Sequence, residues 1–272
     1  IPLGRVHRDQ AKNILGLEER LRERIKGQDE GLNIICEIIK ASKAGLSDPR
    51  QPIGIFLLVG PSGVGKTETG LAVADLLFGG ERFLTTINMS EFQEGHTVSR
   101  LIGSPPGYVG YGEGGLLTEA VRQRPYSVVL IDEVEKAHAD VVNLFYQVFD
   151  KGTLSDGEGR DIDFKNTILF LTSNLASDVI TRMCAGGEKP AMDQILCAIR
   201  PILSKHFKPA LLARMTIVPY LTLDASFMEE IVKLKLVQVE ARLFETSKMK
   251  LAYSDEVVGQ IAGRCNEVET GA

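Results

Sequence analysis

Three glycines, a lysine and a threonine stand at fixed spacing in Gly60-Pro61-Ser62-Gly63-Val64-Gly65-Lys66-Thr67. The pattern is G-x-x-x-x-G-K-[ST]. Glycines let backbone N–H groups crowd around an anion, the lysine reaches the β- and γ-phosphates, and the hydroxyl can ligate magnesium. An apolar, β-rich run, Ile53 to Val59, leads in, and a helix-like run, Thr67 to Phe78, leads out. Strand, loop and helix in that order aim amides and a positive helix end at a polyphosphate. A glycine turn with a chance lysine would not need both flanks. The stretch Gly60 to Glu68 is therefore read as a nucleoside-triphosphate site with Mg²⁺ beside the phosphates.

A second group of residues fits the same chemistry. Val128-Val129-Leu130-Ile131 is an apolar strand that ends in Asp132-Glu133. Asp132 can join Thr67 in holding magnesium. Glu133, on the other face because strand side chains alternate, can polarise an attacking water. Two solvated acids at an exposed strand end are the competing reading, and the phosphate loop argues against it. A further strand closes in Leu171-Thr172-Ser173-Asn174. An amide there could orient the water, although an Asn after a strand is more often a cap or turn residue.

The elements that must position these groups alternate in type. Leu15 to Ser42 reads as helical with an interruption at Gly27. Strands are expected at Ile53–Val59, Phe83–Met89, Ser127–Ile131, Thr167–Thr172 and Met215–Pro219. Helices are expected at Thr67–Phe78, Thr97–Ile102, Leu116–Arg124 and Ala139–Asp150, with a hairpin over Thr153–Phe164. This is α/β: a mainly parallel five-stranded sheet between helices, with ligands at the carboxyl ends of the strands. From Asp224 the pattern turns purely helical, with Phe227, Ile231, Leu234 and Val237 or Gln238 at helix spacing, then Val257, Val258 and Ile261. Residues 1–221 are thus expected to form the large α/β part and 222–272 a small helical lid.

Composition excludes other classes. The 272 residues are 44% hydrophobic and 25% charged, ordinary for a globular chain. A net charge of −5 gives no basic footprint for nucleic acid. Apolar runs are strand-sized, so no membrane partner is expected. Cys36, Cys184, Cys197 and Cys265 are scattered, as reduced thiols in a cytoplasmic protein would be. A start at Ile1 and a stop at Ala272 within helix-like sequence suggest an excised fragment.

The order phosphate loop, Asp-Glu strand, Ser-Asn strand end, then Phe207-Lys208-Pro209-Ala210-Leu211-Leu212-Ala213-Arg214 resembles the AAA+ ATPases. It is most similar to the second ATPase module of the Clp/Hsp100 unfoldases. The specific stretches are Ser99 to Tyr111 and Arg124 to His138. The resemblance implies a P-loop AAA+ core with a truncated lid. It makes Asn174 the first sensor and Arg214 an arginine finger acting on ATP of a neighbouring subunit, where spacing alone does not separate Arg214 from a surface arginine. Ile25, Gly27 and Gln28 match the adenine-side segment, with Lys26 in place of the usual branched apolar residue. Ile231 is a candidate for the adenine's other face. The family's second-sensor arginine comes directly after a Gly-Ala pair, and this chain stops at Gly271-Ala272. The fragment should therefore bind nucleotide more weakly and hydrolyse it more slowly than its parent.

In that family Gly107-Tyr108-Val109-Gly110 would line the pore of a homo-hexamer, with Tyr108 and Val109 gripping an extended polypeptide. A ring packs on any chain without demanding sequence. A turn tyrosine tucked against its own domain is the alternative. The hairpin at Asp156-Gly157-Glu158-Gly159 would be a second pore loop. Between Asn174 and Phe207 there is no Ile-Gly-Leu-type tripeptide, so no peptidase partner is expected. Asn88 to Glu94, Gly103-Ser104-Pro105-Pro106, Gly110 to Gly114 and Phe149-Asp150-Lys151-Gly152 look more like the ClpV branch, which disassembles contracted type VI secretion sheaths, than the ClpB-like disaggregases. An AAA+ machine acting on DNA or transcription complexes is the reading from another class.

Overall fold

A computed structural model describes residues 13–108, 110–112, 114–185 and 190–265. Helices α1 (Leu17–Arg24) and α2 (Asp29–Lys43) come first, parted at Gly27 as the sequence suggests. Gly27 has φ +75°, and an added Cβ would lie 2.8 Å from Leu223 and 3.1 Å from Phe227. Glycine is needed there both for the left-handed turn and for the lid's approach.

Next come β1 (Gly54–Val59), α3 (Lys66–Phe78), β2 (Leu84–Asn88), α4 (Val98–Ile102), α5 (Leu116–Gln123), β3 (Val128–Asp132) and α6 (Ala139–Lys151). After them stand β4 (Thr153–Ser155), β5 (Asp161–Asp163), β6 (Ile168–Ser173), α7 (Ser177–Cys184), α8 (Met192–His206), α9 (Pro209–Leu212) and β7 (Thr216–Pro219). Five strands form one parallel sheet in the order β2-β3-β6-β1-β7. β1, β3 and β6 are apolar runs because helices cover both faces. Ile55, Leu57 and Val59 enter one core with Val129, Ile131, Leu169 and Leu171; Phe56 and Leu58 enter the other with Val128, Leu130, Ile168 and Phe170. Phe56 and Phe170 are register partners, and their rings stack at 5.2 Å.

β4 and β5 form the expected antiparallel hairpin. Its turn is held by buried Asp156, which accepts the N–H groups of Glu158 and Arg160 and pairs with the Arg160 guanidinium at 2.7 Å. Helices α7 and α8 are additions to the elements expected from sequence. α8 buries Ile195, Ile199 and Leu203 at four-residue spacing, and Pro201 sits within it.

Among the described residues the small helical part, expected to be the lid, comprises α10 (Ala225–Ser247), capped by the Asp224 carboxylate, and α11 (Asp255–Cys265). Its own buried residues are Met228, Val232, Val258 and Ala262. The expected stripe is therefore displaced by one residue: Met228 and Val232 are buried, not Phe227 and Ile231. An apolar helix on several faces offers more than one register, and packing against α11 selects among them. Among the described residues no helix is long and apolar enough to cross a membrane.

Candidate active site

The carboxyl ends of β1, β3 and β6 bring the phosphate loop, Asp132-Glu133 and Asn174 to one edge of the sheet. They face the lid across a cavity of about 590 Å³. Its walls include Ile25, Lys26, Ser62 to Glu68, Asp132, Glu133 and Asn174, with Met228, Ile231 and Val232 from α10.

The loop's glycines are required for different reasons. Gly63 and Gly65 have φ of +74° and +100°, a region that favours glycine. At Gly60 an added Cβ would lie 2.4 Å from the Tyr220 carbonyl oxygen. α3 starts at Lys66, so its unpaired first-turn amides lie within the motif. The Lys66 ammonium is buried and donates to the carbonyls of Gly60 and Pro61, both at 2.6 Å, and to Asn174 Oδ1 at 2.9 Å. Burial pulls its pKa down to about 8, partly offset by the carboxylates of Glu135, Asp132 and Glu133. Gly60 and Pro61 do not line the cavity; their part is to hold Lys66.

Asp132 accepts a hydrogen bond from the Thr172 hydroxyl, which in turn accepts Glu133 N–H at 3.1 Å. Simple alternation along β3 does not place Glu133, contrary to expectation. The strand ends at Asp132, and Glu133 sits at φ +54°, costly for a side-chain-bearing residue and typical of functional turns. Both acids consequently line the same cavity. Glu133 Oε2 lies 2.8 Å from Lys136 Nζ. Thr67, exposed at the start of α3, lines the same cavity as Asp132, and a hydroxyl with a carboxylate is a donor set that magnesium takes together with phosphates and water.

The Asn174 side chain turns to Lys66 rather than capping α7, whose cap position is Ala176. Its main-chain N–H donates to Glu135 Oε1 at 3.1 Å. Gln28 is buried, outside the cavity wall. It donates to the Val64 and Leu221 carbonyls and accepts Leu221 N–H at 2.9 Å, which ties the turn between α1 and α2 to the phosphate loop and to the segment after β7. Ile25 is buried in the wall, and Lys26 pairs with Glu230 of the lid at 3.3 Å. Ile231 lines the wall half-buried. Arg214 lies away from the cavity, its guanidinium bound to Asp150 and the Ala210 carbonyl.

Tyr108 is 71% exposed on the glycine loop, where Gly107, Gly110 and Gly112 all have positive φ. That excludes a ring tucked against its own domain. Val109 lies outside the described residues.

Sequence reasoning gives no chemical role to Thr172, Glu135 or Lys235. Lys235 pairs with Glu68 at 3.5 Å across the cavity mouth, and Arg24 holds the same carboxylate at 3.0 Å. A threonine ahead of Ser173-Asn174 and a third acid in the Glu133 to Lys136 turn are visible signals. Only register and the 3₁₀ turn at Val134–Lys136 give them partners.

Comparison with known proteins agrees with this geometry. A family model described as "AAA domain (Cdc48 subfamily)" matches residues 51–218, and one described as "C-terminal, D2-small domain, of ClpB protein" matches residues 223–272. The chaperone protein ClpB of Yersinia enterocolitica is 55% identical over 100% of this chain and 31% of its own length. The AAA+ ATPase ClpV1 of Pseudomonas aeruginosa is 52% identical over 100% of the chain and 30% of its own length. The ClpB chaperone of Gloeobacter violaceus is 45% identical over 96% of the chain and 30% of its own length. The chain thus spans about a third of these relatives. It belongs to the AAA+ ATPases, as the C-terminal ATPase module of the Clp/Hsp100 group.

Proposed function

We propose that this chain, with 1–221 as ATPase core and 222–272 as lid, drives a cytoplasmic homo-hexamer that threads polypeptide through a central pore. Its substrate is the contracted type VI secretion sheath, whose subunits it frees for reuse. The observation that carries the motor reading is the pairing of one ATP-sized cavity with an exposed tyrosine on a separate glycine loop. In the ATPase cycle the loop amides and Lys66 hold the β- and γ-phosphates. Glu133 takes a proton from the attacking water, and Asn174 fixes that water's position. Magnesium, held by Thr67 and Asp132, would neutralise charge on the phosphates. Arg214 lies outside its own cavity, which suits action on the neighbouring subunit's ATP. Ile25, Lys26 and Ile231 frame the adenine.

Identity does not separate the branches, since a ClpB and ClpV1 stand at 55% and 52%. The sheath reading rests on Ser104, Gly112 and Phe149, where disaggregases tend to carry Ala, Glu and Leu. A ClpB-like disaggregase is the second reading, favoured by the 55% relative. The acidic balance disfavours DNA. The test is to incubate the full-length protein and ATP with contracted sheaths and, separately, with heat-aggregated protein. Sheath disassembly that Tyr108→Ala abolishes, with most ATPase activity retained, is the expected result. Disaggregation without sheath disassembly would move the assignment to the second reading, and disassembly by the variant would refute the pore grip.

A further inference from the structure

Glu135 stands three residues beyond Asp132, on the 3₁₀ turn Val134–Lys136, and is fixed at both its main chain and its carboxylate. His206 Nε2 at the end of α8 lies 2.8 Å from its carbonyl oxygen. Its Oε1 accepts the main-chain N–H of Asn174 at 3.1 Å, bridging the ends of β3 and β6. Its Oε2 is buried with no hydrogen-bond partner among the described residues. Leaving a buried carboxylate oxygen unpaired is costly, and an apolar residue would avoid that cost.

The bond from Asn174 to Glu135 is made by the main chain of the residue read as the sensor. Asn174 lies one residue beyond the last register pair of β6, Val59–Ser173, and its carbonyl accepts the Ser177 N–H and hydroxyl, which leaves its own N–H to Glu135. The Glu135 contact thus holds the N–H of the same residue whose Oδ1 accepts the Lys66 ammonium at 2.9 Å.

We propose that Glu135 is a positioning residue for hydrolysis, acting through its Oε1 acceptor on the Asn174 main chain to hold the sensor amide against the phosphate-loop lysine. The proposal rests on the reading of Asn174 as the group facing the attacking water. Misplacing a catalytic group by about an ångström can cost up to ~10²-fold in rate.

The test uses the full-length protein and measures kcat and ATP affinity for Glu135→Ala, Glu135→Gln, Glu135→Asp, Asn174→Ala and the Glu135→Ala/Asn174→Ala pair. Glu135→Ala should lower kcat about tenfold with affinity changed less than about twofold, a split that general loss of structure would not produce. Glu135→Gln keeps the acceptor and should stay within about threefold of wild type. Glu135→Asp keeps the charge but shortens the reach, and should be as slow as the alanine variant. The double variant should turn over within about twofold of Asn174→Ala alone, because the first change acts only through the second. If Glu135→Ala does not fold, the contrast between Gln and Asp still decides. Normal turnover of Glu135→Ala overturns the proposal, as does a Gln variant as slow as Asp, or multiplying defects in the pair. Normal turnover of Asn174→Ala brings down the sensor reading first, and this proposal with it.

Discussion

The cavity's two walls are built differently. The α/β wall stands on two continuous cores, and every chemically active side chain on it is hydrogen-bonded or ion-paired into place, Thr67 apart. Among the described residues the lid wall stands on four buried residues of its own. It meets the other wall through apolar contact and part-exposed ion pairs, Lys26–Glu230 and Lys235–Glu68. Such pairs are each worth little, about 0–1 kcal/mol. The difference assigns chemistry to the rigid wall and adjustable closure to the other, since thinly packed elements open at lower free energy.

Two substitutions on the rigid wall should give the largest effects and separate its functions. Glu133→Gln keeps size and removes the base. Turnover should fall by about 10³-fold with ATP affinity unchanged, and normal hydrolysis would refute the assignment. Lys66→Ala should weaken ATP binding about 10²-fold, read by titration with a fluorescent analogue; unchanged affinity would remove the phosphate-loop role.

A smaller effect should appear on the lid. Val258 is 1% exposed in the lid's core, and Val258→Ala should destabilise α10 and α11 by ~2 kcal/mol. Hydrogen exchange should quicken in those helices while β1, β3 and β6 keep their protection. Equal quickening in the sheet would mean that the walls unfold together, and the contrast between them would be lost.

The same contrast explains what the sequence reveals. Phosphate and water chemistry accepts few residue types at few spacings, so Lys66, Thr67, Asp132 and Glu133 are legible as a string, as are the strands that carry them. A sensor role for Asn174 is expected only from family resemblance, and the structure adds that its side chain meets Lys66 instead of capping α7. Gln28 fits its family segment, yet its side chain ties backbone to backbone instead of lining the site. The burial register of α10 is not legible because Phe227, Met228, Ile231 and Val232 are all apolar, and only α11 chooses between them. Pro201, within α8, disguises that helix, since proline in a helix interior removes a hydrogen bond and clashes with the preceding turn.

The smallest effect concerns the cost of the rigid wall itself. Lys66 in the folded chain has a pKa of about 8, against about 10.4 for an unfolded lysine. Between these values the folded state binds fewer protons at this group than the unfolded state, so the contribution of Lys66 to stability rises with pH across that window. The buried Cys36 thiol, pushed up to about 12, works the other way from about pH 9. Below pH 8 both states are protonated, and the full penalty of burying the ammonium persists. Between about pH 8 and about pH 9.5 the gain should reach at most ~2 kcal/mol, from about 1.4 kcal/mol per pKa unit. Urea unfolding without nucleotide should show stability rising with pH in the wild type relative to Lys66→Met. A rise of the same size in Lys66→Met would place it on other groups, and the phosphate-loop lysine would then carry no stored cost for ATP binding to relieve.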